Sequence, residues 1–67
     1  MTLKTFLEPC LNTTHIKVLQ YDFNRNIDFV EFDGIASNLR TSGNEKLLNS
    51  DVLLVEIQDD TLIIRIE

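Results

Sequence analysis

From Val52 to Glu67 the apolar pattern reads the same in both directions about one centre, the Asp59-Asp60 pair. Strict alternation marks a half-buried strand, and two such runs flanking a two-residue polar step mark a hairpin. Folding the chain there sets Leu53 opposite Ile66, Val55 opposite Ile64 and Ile57 opposite Leu62, an apolar face expected to be core. Gln58 with Thr61, Glu56 with Ile63, Leu54 with Arg65 and Val52 with Glu67 share the reverse face. A slip of one residue turns every side chain over, so the need for a core pins this register.

The rest of the chain carries weaker signals of the same kind. Leu3, Phe6, Leu7, Cys10 and Leu11 recur with helical spacing, and Thr2 is placed to cap the first amides. Proline lacks an amide proton, so Pro9 ends the regular helix near Glu8. His15 to Tyr21 and Ile27 to Phe32 predict a second strand pair, turned through Asp22-Phe23-Asn24-Arg25-Asn26. The register that opposes Lys17 to Glu31 also sets Tyr21 against Ile27, Leu19 against Phe29, Val18 against Val30 and Ile16 against Phe32. Asp33-Gly34 is expected to break or bulge the strand. Ser37 can cap a helical stretch from Asn38, Thr41 to Asn44 reads as loop, and Glu45 to Asn49 as a further helical turn. The expected fold is one small α+β domain over residues 1–67. A short N-terminal helix joins two antiparallel β-hairpins forming a small sheet, with a short helical segment between the hairpins.

A chain of 67 residues has room for one small core. Its single cysteine excludes an internal disulfide, and Cys10 has no Cys or His cluster for a structural zinc. Of the usual supports for a small domain, association with itself or a partner is left. A net charge of −5 and six scattered basic residues argue against direct nucleic-acid binding and against an anionic membrane. There is no run long enough to span a bilayer and no signal-peptide-like start, and the lone thiol suits a reducing interior, so a cytoplasmic setting is expected.

Sites for chemistry are sparse. Asp22, Asn24, Asn26, Asp28 and Asp33 fall at calcium-loop spacing, but Ile27 stands where such a loop needs glycine and Asp33 where it needs the longer Glu. His15 is the only histidine. Cys10 belongs to the apolar stripe of the helix while His15 opens a strand, so no nucleophile and base are brought together. No glycine-rich phosphate loop occurs, and Asp59-Asp60 is accounted for as a turn. The reading is of a protein that is not an enzyme, with no metal and no cofactor.

One feature asks for a partner. Both faces of the expected hairpins carry large apolar groups: Leu19, Tyr21, Ile27 and Phe29 on one, continued by Val52, Leu54 and Ile63 if the hairpins lie side by side. Either the segment Ser37 to Ser50 folds over this second face through Leu39, Leu47 and Leu48, or the face stays open as an interaction site. Carboxylates on Asp22, Asp28, Glu31, Asp33, Asp59 and Asp60 could engage a basic partner surface.

Thr2-Leu3-Lys4-Thr5-Phe6-Leu7-Glu8, Ile16-Lys17-Val18-x-x-Tyr21-Asp22, Phe32-x-Gly34-x-x-Ser37-x-Leu39 and the run Val52 to Glu67 together resemble short phage and prophage proteins of Gram-positive bacteria, a group without established chemistry. Pro9 and the Arg40 to Asn49 stretch depart from that pattern. The resemblance implies a mobile-element origin. With the acidic charge it leads to the expectation of a small protein-binding inhibitor of a host nucleic-acid-handling protein, as anti-CRISPR proteins are. The alternative is a self-associating, homodimeric accessory module with no inhibitory role.

Overall fold

Two strands that are remote in sequence lie side by side at the centre of the sheet. A computed structural model describes residues 1–67. Its elements, in chain order, are α1 (Leu3–Leu7), β1 (His15–Asp22), β2 (Ile27–Ile35), α2 (Ala36–Arg40), α3 (Glu45–Leu48), β3 (Val52–Gln58) and β4 (Thr61–Ile66). The fold is a small α+β domain whose mixed sheet has the order β2-β1-β4-β3. β1 and β4 run parallel, pairing Ile16 with Leu62, Val18 with Ile64 and Gln20 with Ile66. β2 and β3 are antiparallel edge strands.

All three helices pack on one side of this sheet. The core joins Leu3 and Leu7 of α1, Ala36 and Leu39 of α2, and Leu47 and Leu48 of α3 to Ile16, Val18, Ile64 and Ile66 of the central strands. The segment between the two strand pairs therefore thickens the layer that α1 begins, and the other face stays uncovered. Alternation along β1 and β4 supplies the apolar stripe that this layer buries.

Helices this short are not stable alone, so local bonds and tertiary contacts hold them. The Thr2 hydroxyl accepts from the Thr5 amide at 3.3 Å and caps α1, as its sequence position suggests. At the other end, Arg40 of α2 donates to the carbonyls of Leu7 and Cys10 and to Asn12 Oδ1. This guanidinium satisfies carbonyls that the end of α1 leaves without partners. Asn44 caps α3 by accepting from the Leu47 amide at 3.1 Å. Ser37, expected as a cap, instead lies inside α2, which follows Ile35 without a side-chain cap because β2 runs straight into it.

In the C-terminal pair, the partners from Leu54/Arg65 to Gln58/Thr61 are those the alternation predicts. Asp59 and Asp60 take φ of 50° and 62°, the left-handed values of a two-residue type I′ turn. Beyond Leu54 the register shifts, and Val52 rather than Leu53 pairs with Ile66. The extra residue is Leu53.

The N-terminal pair departs from its expected register throughout. Asp22 pairs with Ile27, Gln20 with Phe29 and Leu19 with Val30; past a bulge, Val18 pairs with Phe32 and Lys17 with Asp33. Loop chemistry is the cause. Asp22 Oδ1 accepts from the amides of Asn24 and Arg25, and Asn26 takes φ of 58° to bond its amide to the Asp22 carbonyl at 2.7 Å. A four-residue loop results, not the five-residue one the sequence suggested. The bulge falls at Glu31, ahead of Asp33-Gly34, and β2 continues to Ile35. Gly34 stays extended beneath the Phe32 ring, which would lie 3.2 Å from a β-carbon at that position.

Two stability changes follow. Asp60→Gly should raise the melting temperature, by the equivalent of about 1 kcal/mol, because glycine reaches left-handed φ without steric cost. Arg40→Ala should lower stability by about 1–3 kcal/mol, as the part-buried carbonyls of Leu7 and Cys10 lose their donor. Thermal melts followed by circular dichroism check both.

Candidate interaction surface on the uncovered sheet face

Because partners across antiparallel strands share a face, the register fixes what the helix-free side presents. In rows running from β3 through β4 and β1 to β2, they are Gln58, Thr61, His15 and Ile35, then Glu56, Ile63, Lys17 and Asp33, then Leu54, Arg65, Leu19 and Val30. Tyr21 and Asp28 lie beyond. Apolar and charged side chains are interleaved across all four strands.

Arg65 is the hub of this face. Its Nη1 donates to Asp28 Oδ1 at 2.8 Å, reaching past β1 to β2, while its Nε lies 3.6 Å from Glu56 Oε1 on β3. The hydrogen bond to Asp28, then that carboxylate's charge, push the guanidinium pKa further up; desolvation opposes this, and Glu56 adds smaller upward contributions. Leu19, the cross-strand neighbour of Arg65, is only 8% exposed although no helix covers it. An arginine stem lying along apolar surface while its head pairs with acids accounts for that shielding. At one end of the face His15 Nε2 meets Asp33 Oδ1 at 2.7 Å. At the other, Tyr21 and Phe23 stack edge to face with centroids 4.9 Å apart.

The expected apolar set divides between the two sides. Leu19, Tyr21, Leu54 and Ile63 do lie on the uncovered face. Ile27 and Phe29 do not. Pairing with Asp22 and Gln20 instead of Tyr21 and Leu19 turns them to the helix side, where both remain exposed near the strand edge. Val52 is also on the helix side and packs against the core, since the extra residue at Leu53 turns it over. Val30 takes a vacated place on the uncovered face because of the four-residue loop, and Ile35 lies there because the bulge at Glu31 shifts the pairs beyond it.

A further correction concerns the trio expected as core. Val55 packs against the buried cluster, but Leu53 is 65% and Ile57 78% exposed. The three short helices cover the central strands and stop short of β3, whose place at the sheet edge is not written in its own alternation. With Leu54 at 52% exposure, this edge is the least covered apolar stretch in any strand.

The acidic candidates are mostly engaged. Asp28 is held by Arg65, Asp33 by His15, and Asp22 by its own loop amides with Arg25 Nε at 3.8 Å. Glu31 sits in the bulge, while Asp59 and Asp60 form the hairpin tip. The calcium-spaced aspartates thus have internal partners, and no three His, Cys, Asp or Glu side chains converge on a metal position. Cys10 donates from Sγ to the Phe6 carbonyl at 3.8 Å and borders the core. No helix is long and apolar enough to cross a membrane. No protein-family model matches the chain, and the curated proteins and solved structures likewise yield no match.

Removing the hub tests this picture. Arg65→Ala should depress the melting temperature clearly more than Arg25→Ala, because it strips two carboxylates of their partner and uncovers Leu19, whereas Arg25 touches only its own loop. Paired thermal melts give the comparison.

Proposed function

We propose that this chain is a small, acidic, non-enzymatic binding protein of the kind carried by phages and other mobile elements. It occupies a host protein that handles nucleic acid. The observation that carries this reading is the uncovered sheet face, where Leu19, Tyr21, Val30, Leu54 and Ile63 share one side of all four strands with no helix over them. A mixed face of this type, with an aromatic residue beside ion pairs, suits docking onto another protein better than holding a small substrate. The net charge of −5 supports a basic target surface. Asp59 and Asp60 project at the hairpin tip, and such charges chiefly accelerate encounter, while apolar anchors slow departure.

Affinity capture from a host lysate with the wild type, Tyr21→Ala and Val30→Asp as parallel baits tests the reading. Both substitutions sit at half-exposed positions and should leave the fold intact, which circular dichroism checks. The expected result is a specific nucleic-acid-handling protein retained by the wild type and weakened about tenfold or more by each variant. For that protein, added salt should slow association much more than it speeds dissociation. Equal retention by all three baits would count against the face as the binding site.

A further inference from the structure

Part of the β3 edge is closed by the start of the chain, where the Val52 amide donates to the Met1 carbonyl at 2.9 Å and Thr2 bridges Asp51. The stretch left open, Leu53 to Ile57, carries nothing that selects one partner over another. The β1–β2 loop does. Beside it lies a hollow of about 340 Å³ whose walls include three aromatic residues, Tyr21, Phe23 and Phe29, together with the acids Asp22 and Glu31. No lysine or arginine lines it.

The loop holds its aromatic residue in place. Asp22 Oδ1 accepts from the Asn24 and Arg25 amides on either side of the turn, and the Phe23 ring meets Tyr21 edge to face. Phe23 is nevertheless 87% exposed, so much of its ring is bare. Of the two acids, Asp22 is engaged by the loop and by Arg25 Nε at 3.8 Å, whereas Glu31 takes part in no ion pair. Lys46 borders a neighbouring hollow with Glu31 and does not bridge to it. A carboxylate without a partner beside bare aromatic rings is a setting that draws a cation, because the ring faces carry negative potential and the carboxylate a full charge.

We infer that this hollow receives an arginine side chain of the partner protein. A guanidinium is planar and weakly hydrated, so it can lie on an aromatic face while donating to the Glu31 carboxylate. A lysine ammonium holds its water more tightly and has no flat face to stack, which makes it the poorer occupant. Nucleobases also stack on aromatic rings, but the phosphates they bring are repelled by Asp22 and Glu31. The same repulsion meets the carboxylate of free arginine, so the side chain is taken from within a chain. The inference rests on the binding role proposed above for there being a protein partner. It places the contact at Phe29 and Glu31, neither of which belongs to the uncovered face.

Nuclear magnetic resonance titration of the whole chain with the capped peptides Gly-Arg-Gly, Gly-Lys-Gly and Gly-citrulline-Gly, and with free arginine, tests the assignment. The arginine peptide should move the amide signals of residues 20–24 and 29–31 along a saturating curve. Lysine should bind more weakly, and the neutral citrulline peptide should leave those signals in place. Phe29→Leu, which keeps an apolar side chain but removes the ring, and Glu31→Gln should each weaken the arginine peptide by about threefold or more. Thermal melts of both variants confirm that they fold. Leu54→Ser, on the uncovered face, should titrate like the wild type, so the two sites fail separately. Equal responses to arginine and citrulline, wild-type affinity in both Phe29→Leu and Glu31→Gln, loss of binding in Leu54→Ser, or tighter binding of free arginine than of the peptide would overturn the proposal.

Discussion

The parallel ladder between β1 and β4 is the contact on which the rest of this fold depends. It joins the first strand of the chain to the last, with residues 23–60 returning between them. The parallel register aligns Ile16 and Val18 with Leu62 and Ile64, giving the three helices one apolar strip to share. Without it the two strand pairs would be separate ribbons, and a two-stranded ribbon is marginal at best in water. The β1/β4 ladder also makes β2 and β3 the edges, and so determines which apolar residues are buried and which stay in contact with solvent.

The helical layer is held to that strip by polar clasps as much as by its leucines. Arg40 reaches from α2 to the end of α1 and to Asn12, so one side chain ties two helices and the loop between α1 and β1. On the opposite side of the sheet Arg65 does comparable work, spanning from β2 to β3 through its two carboxylates. Ion pairs at an exposed surface are individually weak. The value of Arg65 with Asp28 lies in tying together strands that are distant along the chain.

How much of this was legible in the sequence depends on the range of the interaction concerned. Local signals were readable: Thr2 as a cap, Asp59-Asp60 as a turn, and the pairs from Leu54 to Gln58 across it. Registers set by loop chemistry were less so. Asn26 in a left-handed conformation shortened the loop and moved Ile27 and Phe29 to the opposite face, while an extra residue at Glu31 shifted the pairs beyond it, and both are decisions of one or two residues. Strand order was not legible at all, because alternation reports that a strand has a buried side without saying whether it is central or peripheral. That is why Leu53 and Ile57 read as core.

The contact between Met1 and β3 has a practical corollary. Thr2 lies antiparallel to Asp51, and Met1 follows beside Val52, so the chain direction is already that of a fifth strand. Residues placed ahead of Met1 would run next to Leu53 and onward toward Ile57. An affinity tag fused at this end therefore emerges onto the open edge and can zip along it, masking the strand in its own molecule. Fusions at the Glu67 end leave the edge untouched.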